Sequence, residues 1–280
     1  MRTTNSSKKT LVLAGTGKTG RRVAERLAAR DLPVRVGSRK GAPPFDWQET
    51  ATWTPALRGV EAVYVAYHPD AAFPGAAEAV GSFADQAVRC GVTRLVLLAD
   101  RGAGEAERCE QAVCESGAEW TIVRTGFISQ NFSEDVLTGA VRAGVVALPA
   151  GEVAEPFTDA EDIADVAAAA LTEDRHVHET YDVTGPRLMT FAEAVEEIGK
   201  VIGRTVRYQA VSKERFSAAL KEKGTPAQLA EPLADLMAEV FDGRRARLGD
   251  GVHRAVGRPP RDFTDYVRDT AATGIWTPTR

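Results

Sequence analysis

The stretch Leu11-Val12-Leu13-Ala14-Gly15-Thr16-Gly17-Lys18-Thr19-Gly20-Arg21-Arg22-Val23-Ala24-Glu25-Arg26-Leu27-Ala28 decides the fold. It begins with a short continuous apolar run, Leu11 to Ala14, of the kind a strand buried on both faces requires. It ends as an amphipathic helix that keeps Gly20, Val23, Ala24, Leu27 and Ala28 on one face. Between the two lies a Gly-x-Gly-x-x-Gly turn formed by Gly15, Gly17 and Gly20. Gly15 permits the tight turn, Gly17 lets backbone approach a pyrophosphate at the helix N-terminus, and Gly20 lets the helix close on the sheet. A P-loop would need a glycine five residues before Gly17, where Val12 stands. An ordinary ligand-free turn is the other alternative, but a strand directly before and a helix directly after favour dinucleotide binding.

Outward from this stretch the same rhythm repeats. Val34 to Val36, Val60 to Tyr67, Leu95 to Ala99 and Thr121 to Val123 read as further buried strands, with an edge strand at Phe45 to Trp47. Helices are expected over Ala76 to Cys90 and Glu105 to Glu115, each stopping near a glycine (Gly91, Gly117) suited to a left-handed cap. Past residue 125 the spacing predicts helices over Ser133 to Arg142, Ala160 to Leu171, Phe191 to Ile202, Lys213 to Glu222, Pro226 to Phe241 and Phe263 to Ala272. Strands are expected at Val145 to Leu148, Thr180 to Val183 and Val206 to Val211. The fold class is therefore α/β, a Rossmann-type doubly wound parallel sheet with a smaller, mostly helical C-terminal substrate-binding portion. Residues 1–150 hold the dinucleotide-binding core, and residues 151–280 hold the remaining core elements interleaved with the helical portion. That portion is expected over the carboxyl edge of the sheet, where such sheets bind ligands.

The formal net charge of −4 argues against a nucleic-acid partner, because phosphate-binding surfaces show a basic excess. Arg244, Arg245 and Arg247 then read as a solvated helix end or a local anion contact. No apolar run approaches the roughly 18 residues that suggest a membrane span. The odd count of cysteines, Cys90, Cys109 and Cys114, fits no disulfide framework and no metal spacing, so a cytoplasmic location is expected. His176 and His178 form a His-x-His without a further ligand nearby and read as strand-edge residues exposed to solvent, so no metal is expected. A homodimer is compatible with the sequence.

An NAD-preferring site places an acidic residue at the end of the second strand, about 20 residues past the glycines, to accept the ribose 2′-hydroxyl. Here that end reads Val36-Gly37-Ser38-Arg39-Lys40, without an acid. Ser38 and Arg39 are placed instead to meet a 2′-phosphate, so the expected cofactor is NADP, with NADPH preferred over NADH. A charge-assisted bond of this kind contributes about 1.5–3 kcal/mol, a ten- to hundredfold preference.

With this turn, the Ser38-Arg39 pair, and the run Ser116-Gly117-Ala118-Glu119-Trp120-Thr121-Ile122-Val123-Arg124 followed by Phe127 and Asn131, the chain resembles the NmrA-like atypical short-chain dehydrogenases/reductases. Asp159-Ala160-Glu161-Asp162-Ile163-Ala164-Asp165 looks like that family's usual helix opening, and the tail from Asp242 through Gly274-Ile275-Trp276 resembles a subgroup of ergot-alkaloid imine reductases. The wider family includes quinone reductases, aromatic-ether reductases and non-catalytic redox sensors. The resemblance implies that Gly15, Gly17 and Gly20 hold the pyrophosphate, with Thr16, Lys18 and Thr19 adding donors. It places Ser38 and Arg39 at the 2′-phosphate, Ala66 and Tyr67 beside the ribose, and Leu98, Ala99 and Asp100 near the nicotinamide. Gly126 and Phe127 would follow the strand that floors the nicotinamide pocket.

Reducing a ketone requires a proton donor for the developing alkoxide. None of the five tyrosines has a lysine four residues on; those positions hold His68, Ala71, Gly185, Ser212 and Thr270. The lysine that aromatic-ether reductases carry at a later helix start is also missing, since Glu105, Ala106, Glu107 and Arg108 stand there. An iminium already carries the charge that attracts hydride, and a quinone spreads the charge it receives. Tyr67 and Asp100 are the candidate donors at the sheet edge, and Tyr67, Phe127, Phe132 and Phe157 are candidates for lining a substrate pocket. The expected activity is an NADP(H)-dependent oxidoreductase transferring hydride to a small, fairly apolar conjugated acceptor, imine-, iminium- or quinone-like. The alternative is an NADP(H)-binding redox sensor without turnover.

Overall fold

The computed structural model describes residues 9–102, 104–135, 137–222 and 224–278. The chain forms two compact units, each assembled from separate stretches of sequence. The first comprises residues 1–125, 160–183 and 250–258; the second comprises 126–159, 184–249 and 259–280.

The first unit opens with β1 (Lys9–Leu13), α1 (Lys18–Ala28), β2 (Val34–Gly37), α2 (Trp53–Leu57), β3 (Val60–Val65), α3 (Ala76–Arg89), β4 (Arg94–Asp100), α4 (Glu105–Cys114) and β5 (Glu119–Thr125). The chain then contributes α5 (Asn131–Glu134), α6 (Leu137–Ala143), β6 (Val145–Leu148) and β7 (Ala154–Glu155) to the second unit. It returns to the first with α7 (Ala160–Thr172) and β8 (Glu179–Val183). Next come β9 (Met189–Thr190), α8 (Phe191–Val201), β10 (Arg207–Ala210), α9 (Lys213–Glu222) and α10 (Ala227–Val240) in the second unit. The short α11 (Gly251–Val256) belongs to the first and α12 (Phe263–Ala272) to the second.

The first unit is built on a parallel sheet ordered β2-β1-β3-β4-β5-β8. Its strands carry continuous apolar runs because both faces are covered: α1 and α7 pack on each other, and α3 and α4 pack on each other. Leu11, Val12, Leu13, Val63, Val65, Leu95, Val96 and Leu97 are all fully buried. The strand order reverses between β1 and β3, and in open α/β sheets ligands bind outside the carboxyl ends at such a point. This places the end of β1, and with it the glycine turn, beside the ends of β2 and β3.

The second unit has two small sheets, parallel β6–β10 and antiparallel β7–β9. Its core is aromatic: Phe127, Phe132, Phe157, Phe191, Phe241 and Phe263 form a chain of ring contacts with centroids 4.9–6.4 Å apart. α8 starts with a capping box, in which Thr190 Oγ1 accepts the Glu193 N–H and the Glu193 carboxylate accepts the Thr190 N–H.

Four expectations are corrected. Phe45 to Trp47 is not a strand; after Pro43 and Pro44 the chain turns inward, and both aromatic side chains pack against Phe83. The helix expected over Ser133 to Arg142 is two helices, α5 and α6, because Asp135 adopts an extended conformation between them. His176 is fully buried rather than exposed at a strand edge. Of the arginines past the end of α10, Arg244 and Arg247 are exposed but Arg245 is buried, so the three do not form one solvated cluster.

Candidate functional site

The glycine turn is shaped by steric necessity. β1 ends at Leu13, and Ala14 takes a left-handed conformation with φ of 48° to begin the turn. The Gly15 N–H donates to the Gly37 carbonyl at 3.3 Å, pinning the turn to the end of β2. A Cβ on Gly15 would lie 2.8 Å from both the Val12 carbonyl oxygen and Val36 Cγ1. A Cβ on Gly20 would lie 2.3 Å from the Ala14 carbonyl oxygen, so the first turn of α1 rests directly on the backbone of the loop. Gly20 therefore allows contact with the loop backbone, a more specific role than approach to the sheet.

Gly17 is the N-cap of α1 and has extended backbone. No side chain caps this end, and no acidic residue stands in the first turn. The first N–H groups of a helix have no partner within it, and the helix dipole favours negative charge there. The end is thus suited to an anion. Thr16 is exposed and Lys18 half-buried. Thr19 is buried, as is the Tyr64 phenol. Burial raises the Tyr64 pKa, and the Thr19 hydroxyl lowers it in part.

At the end of β2 the Ser38 carbonyl accepts N–H groups from Gly41 and Phe45. Arg39 is exposed, and among the described residues nothing pairs with its guanidinium. No carboxylate stands at this strand end.

Past the end of β3, the Ala66 carbonyl accepts the indole N–H of Trp47 at 3.2 Å, and the Trp47 ring lies 5.0 Å from Tyr67. No sequence signal marks this role for Trp47, since an aromatic after two prolines reads equally well as an edge-strand residue. The Tyr67 phenol has its pKa raised by burial first, then by the neighbouring Cys109 and Glu105, so it stays protonated at neutral pH. Burial, reinforced by Glu105 and Asp70, pushes the Cys109 thiol up to about 12, which removes it as a nucleophile. The Glu105 carboxylate accepts the Ala77 N–H at 2.9 Å and pairs with Arg108. The helix start that lacks a lysine therefore serves to hold the beginning of α3.

At the end of β4, Leu98 is half-buried and Ala99 buried. Asp100 Oδ1 accepts the Gly102 N–H at 2.7 Å, which ties this carboxylate to its own turn. In the second unit, a Cβ on Gly126 would lie 3.2 Å from Oε2 of the fully buried Glu155. Phe132 and Phe157 are buried within the aromatic core, while Phe127 keeps part of its ring exposed. His176 and His178 diverge: His176 Nδ1 lies 2.8 Å from the Tyr181 hydroxyl, and His178 packs 5.3 Å from the Trp120 ring. Among the described residues no group of three His, Cys, Asp or Glu side chains could hold a metal ion. None of the described helices is long and apolar enough to cross a membrane.

Comparison with known proteins accords with this geometry. The sequence pattern of the NmrA-like family matches residues 106–256, more than half of the chain. The chain belongs to the NmrA-like family. The NAD(P)H-binding pattern matches residues 14–174, starting at the glycine turn, and the fold is an NAD(P)-binding one. This NmrA-like chain is 33% identical to an uncharacterized oxidoreductase of Bacillus subtilis over 95% of its own length and 97% of that protein's. It is 31% identical to an NAD(P)H azoreductase of Xenophilus azovorans, covering 94% and 98% of the two chains. It is 30% identical to an agroclavine dehydrogenase of Claviceps fusiformis, covering 95% and 98%. Among solved structures, an NADPH-dependent quinone oxidoreductase of Escherichia coli complexed with NADPH superposes with a TM-score of 0.77 at 24% identity, covering 93% and 99%.

Proposed function

We propose that this NmrA-like chain is a reductase that draws hydride from NADPH and delivers it to a small, fairly apolar conjugated acceptor, imine-, iminium- or quinone-like. The observation that carries the cofactor choice is the end of β2, where Arg39, exposed and unpartnered among the described residues, stands beside Ser38 with no carboxylate to favour a bare ribose. Support for turnover comes from relatives with azo-reducing and agroclavine-dehydrogenating activities that match over nearly their whole length.

The residues present fit the cofactor. A Cβ at Gly15 or Gly20 would collide with the backbone of Val12 or Ala14, so these glycines let the turn close against the chain and leave the uncapped end of α1 for an anion. In this reading the N–H groups of Thr16, Lys18 and Thr19 at the end of α1 hold the pyrophosphate, the Gly17 N–H being taken by the Ala14 carbonyl at 2.8 Å. Ser38 and Arg39 hold the 2′-phosphate, Ala66 and Tyr67 flank the ribose, and Leu98 to Asp100 border the nicotinamide. NADPH, when bound, supplies the hydride. The chain's own contribution is orientation, which can lower a barrier by several kcal/mol when reacting atoms are held about 3–3.5 Å apart. Within the second unit, the half-buried Phe127 packs against the buried Phe132 and Phe157, an apolar surface of the kind a conjugated acceptor would need. Burial keeps the Tyr67 hydroxyl neutral at neutral pH and raises its pKa, which makes it a weaker acid, and Asp100 is engaged by its own turn. Acceptors that need little proton assistance suit such a site.

The test is turnover. Purified protein with NADPH and a panel of quinones, cyclic iminium salts and azo compounds is expected to show steady loss of reduced-nicotinamide absorbance with at least one acceptor class, and little with simple ketones. Tight cofactor binding with no oxidation across the panel would favour a redox sensor.

A further inference from the structure

The glycine turn is held by more than its glycines. α1 carries Arg22 and Arg26 one helical turn apart, and α7 carries Glu161 and Asp165 at the same spacing, so each pair shares a face of its helix. The two faces interlock. Arg22 Nε donates to Glu161 Oε1 at 2.5 Å, Arg26 Nη2 to Glu161 Oε2 at 2.6 Å, and Arg26 Nε to Asp165 Oδ1. Arg258 closes the far side through Asp165 Oδ2, and stands 2.7 Å from the fully buried Asp162. One more bond leads back to the turn, because Arg22 Nη1 donates at 2.8 Å to the carbonyl of Lys18, the first residue of α1.

Val23 and Leu27 hold α1 against the sheet, but apolar contact is non-directional and does not by itself set a helix's position along its axis. Charge-assisted hydrogen bonds are directional. Isolated exposed ion pairs contribute little, but this set is shared among six side chains, and the Arg22 side chain is only 9% exposed. A carboxylate lost here would strand a largely buried guanidinium.

We propose that Glu161 and Asp165 are positioning residues for cofactor binding: from α7 they fix α1 so that the N–H groups of its first turn face the pyrophosphate. The proposal rests on the dinucleotide reading of Gly15 to Gly20. It gives the acidic helix opening at Glu161 to Asp165 a task that burial alone does not explain.

The experiment compares two ligands on the same variants by calorimetric titration. NADPH carries the pyrophosphate, whereas 2′-AMP offers only the adenosine and the 2′-phosphate. Glu161→Gln and Asp165→Asn are each expected to weaken NADPH about tenfold while 2′-AMP changes by less than about twofold. Equal loss of both ligands, or unchanged NADPH affinity in a folded variant, would overturn the proposal. If those variants do not fold, Arg258→Met, which removes the most exposed arginine of the set, is expected to give a smaller loss with the same selectivity, and loss without selectivity would overturn the proposal. A wild-type protein that binds neither NADPH nor NADH would overturn the dinucleotide reading, and this proposal with it. One that prefers NADH would overturn only the role of Ser38 and Arg39, and adenosine, which lacks the 5′-phosphate, would then replace 2′-AMP as the control.

Discussion

At the end of β2 the chain presents two donors and no acid. Ser38 is fixed by the two N–H groups that its carbonyl accepts, and Arg39 is exposed with no competing partner among the described residues. A phosphate bound there would meet an unshared guanidinium, so little existing interaction has to be broken. The ribose hydroxyl of NADH offers that guanidinium no charge to neutralise. Arg39→Ala should therefore weaken NADPH by ten- to hundredfold, about 1.5–3 kcal/mol, and NADH by less than about twofold. Fluorescence titration of both cofactors decides it, and equal losses would show that Arg39 only covers the adenine. The same scale shows why no catalytic acid could be read from the sequence. Tyr67 and Asp100 are the candidate donors by position in the sequence, but burial keeps the first neutral and a backbone N–H engages the second. Sequence spacing reveals residue types, not what their side chains already hold.

The element that most constrains the site is α1, and two glycines in helices separate close approach from tolerance. Gly20 has no room for a Cβ, because the nearest atoms are backbone of Ala14 and Gly15, which cannot swing aside. Gly139 lies on the exposed side of α6 with nothing within 4 Å of a Cβ position. Gly20→Ala should cost about 1–3 kcal/mol by overpacking. Gly139→Ala should stabilise by about 0.5–1 kcal/mol by restricting the unfolded chain and improving helix propensity. Urea denaturation of both variants checks the pair, and a neutral Gly20→Ala would mean that α1 does not rest on the loop. The parallel strands were legible at this scale because burial on both faces leaves continuous apolar runs. α2 and α11 were not, since five or six residues give too few turns for a periodic signal. The break between α5 and α6 is made by the backbone conformation of Asp135, which the apolar spacing does not record. Trp47 escaped notice for a related reason: its hydrogen bond to Ala66 joins residues brought together only by the sheet order.

For the whole molecule, no single cut in the sequence separates the two units, so composition along the chain carries no boundary signal. What the whole chain does express is a stability that depends on pH, and one buried group should dominate it near neutrality. The His176 side chain is fully buried and hydrogen-bonded to Tyr181, beside Glu173, Arg175 and, farther off, Arg94. Burial first, then the Arg175 charge, holds its pKa below the ordinary 6.5, with Glu173 acting in opposition. Above that ordinary value the imidazole is neutral in both folded and unfolded chains. As pH falls below it, the unfolded chain takes up a proton that the folded chain refuses. Stability is therefore lost as pH falls from 6.5 through the folded pKa, with a slope of at most about 1.4 kcal/mol per pH unit for one proton. Asp262 acts in a separate, more acidic window: Arg187 lowers its pKa from 3.8 to about 2, so its contribution is present above 3.8 and lost only below it. Urea melts from pH 7.5 to 5 should show wild-type stability falling, and His176→Asn should flatten the profile whatever it costs in absolute stability. Parallel profiles for the two proteins would place the titrating group elsewhere.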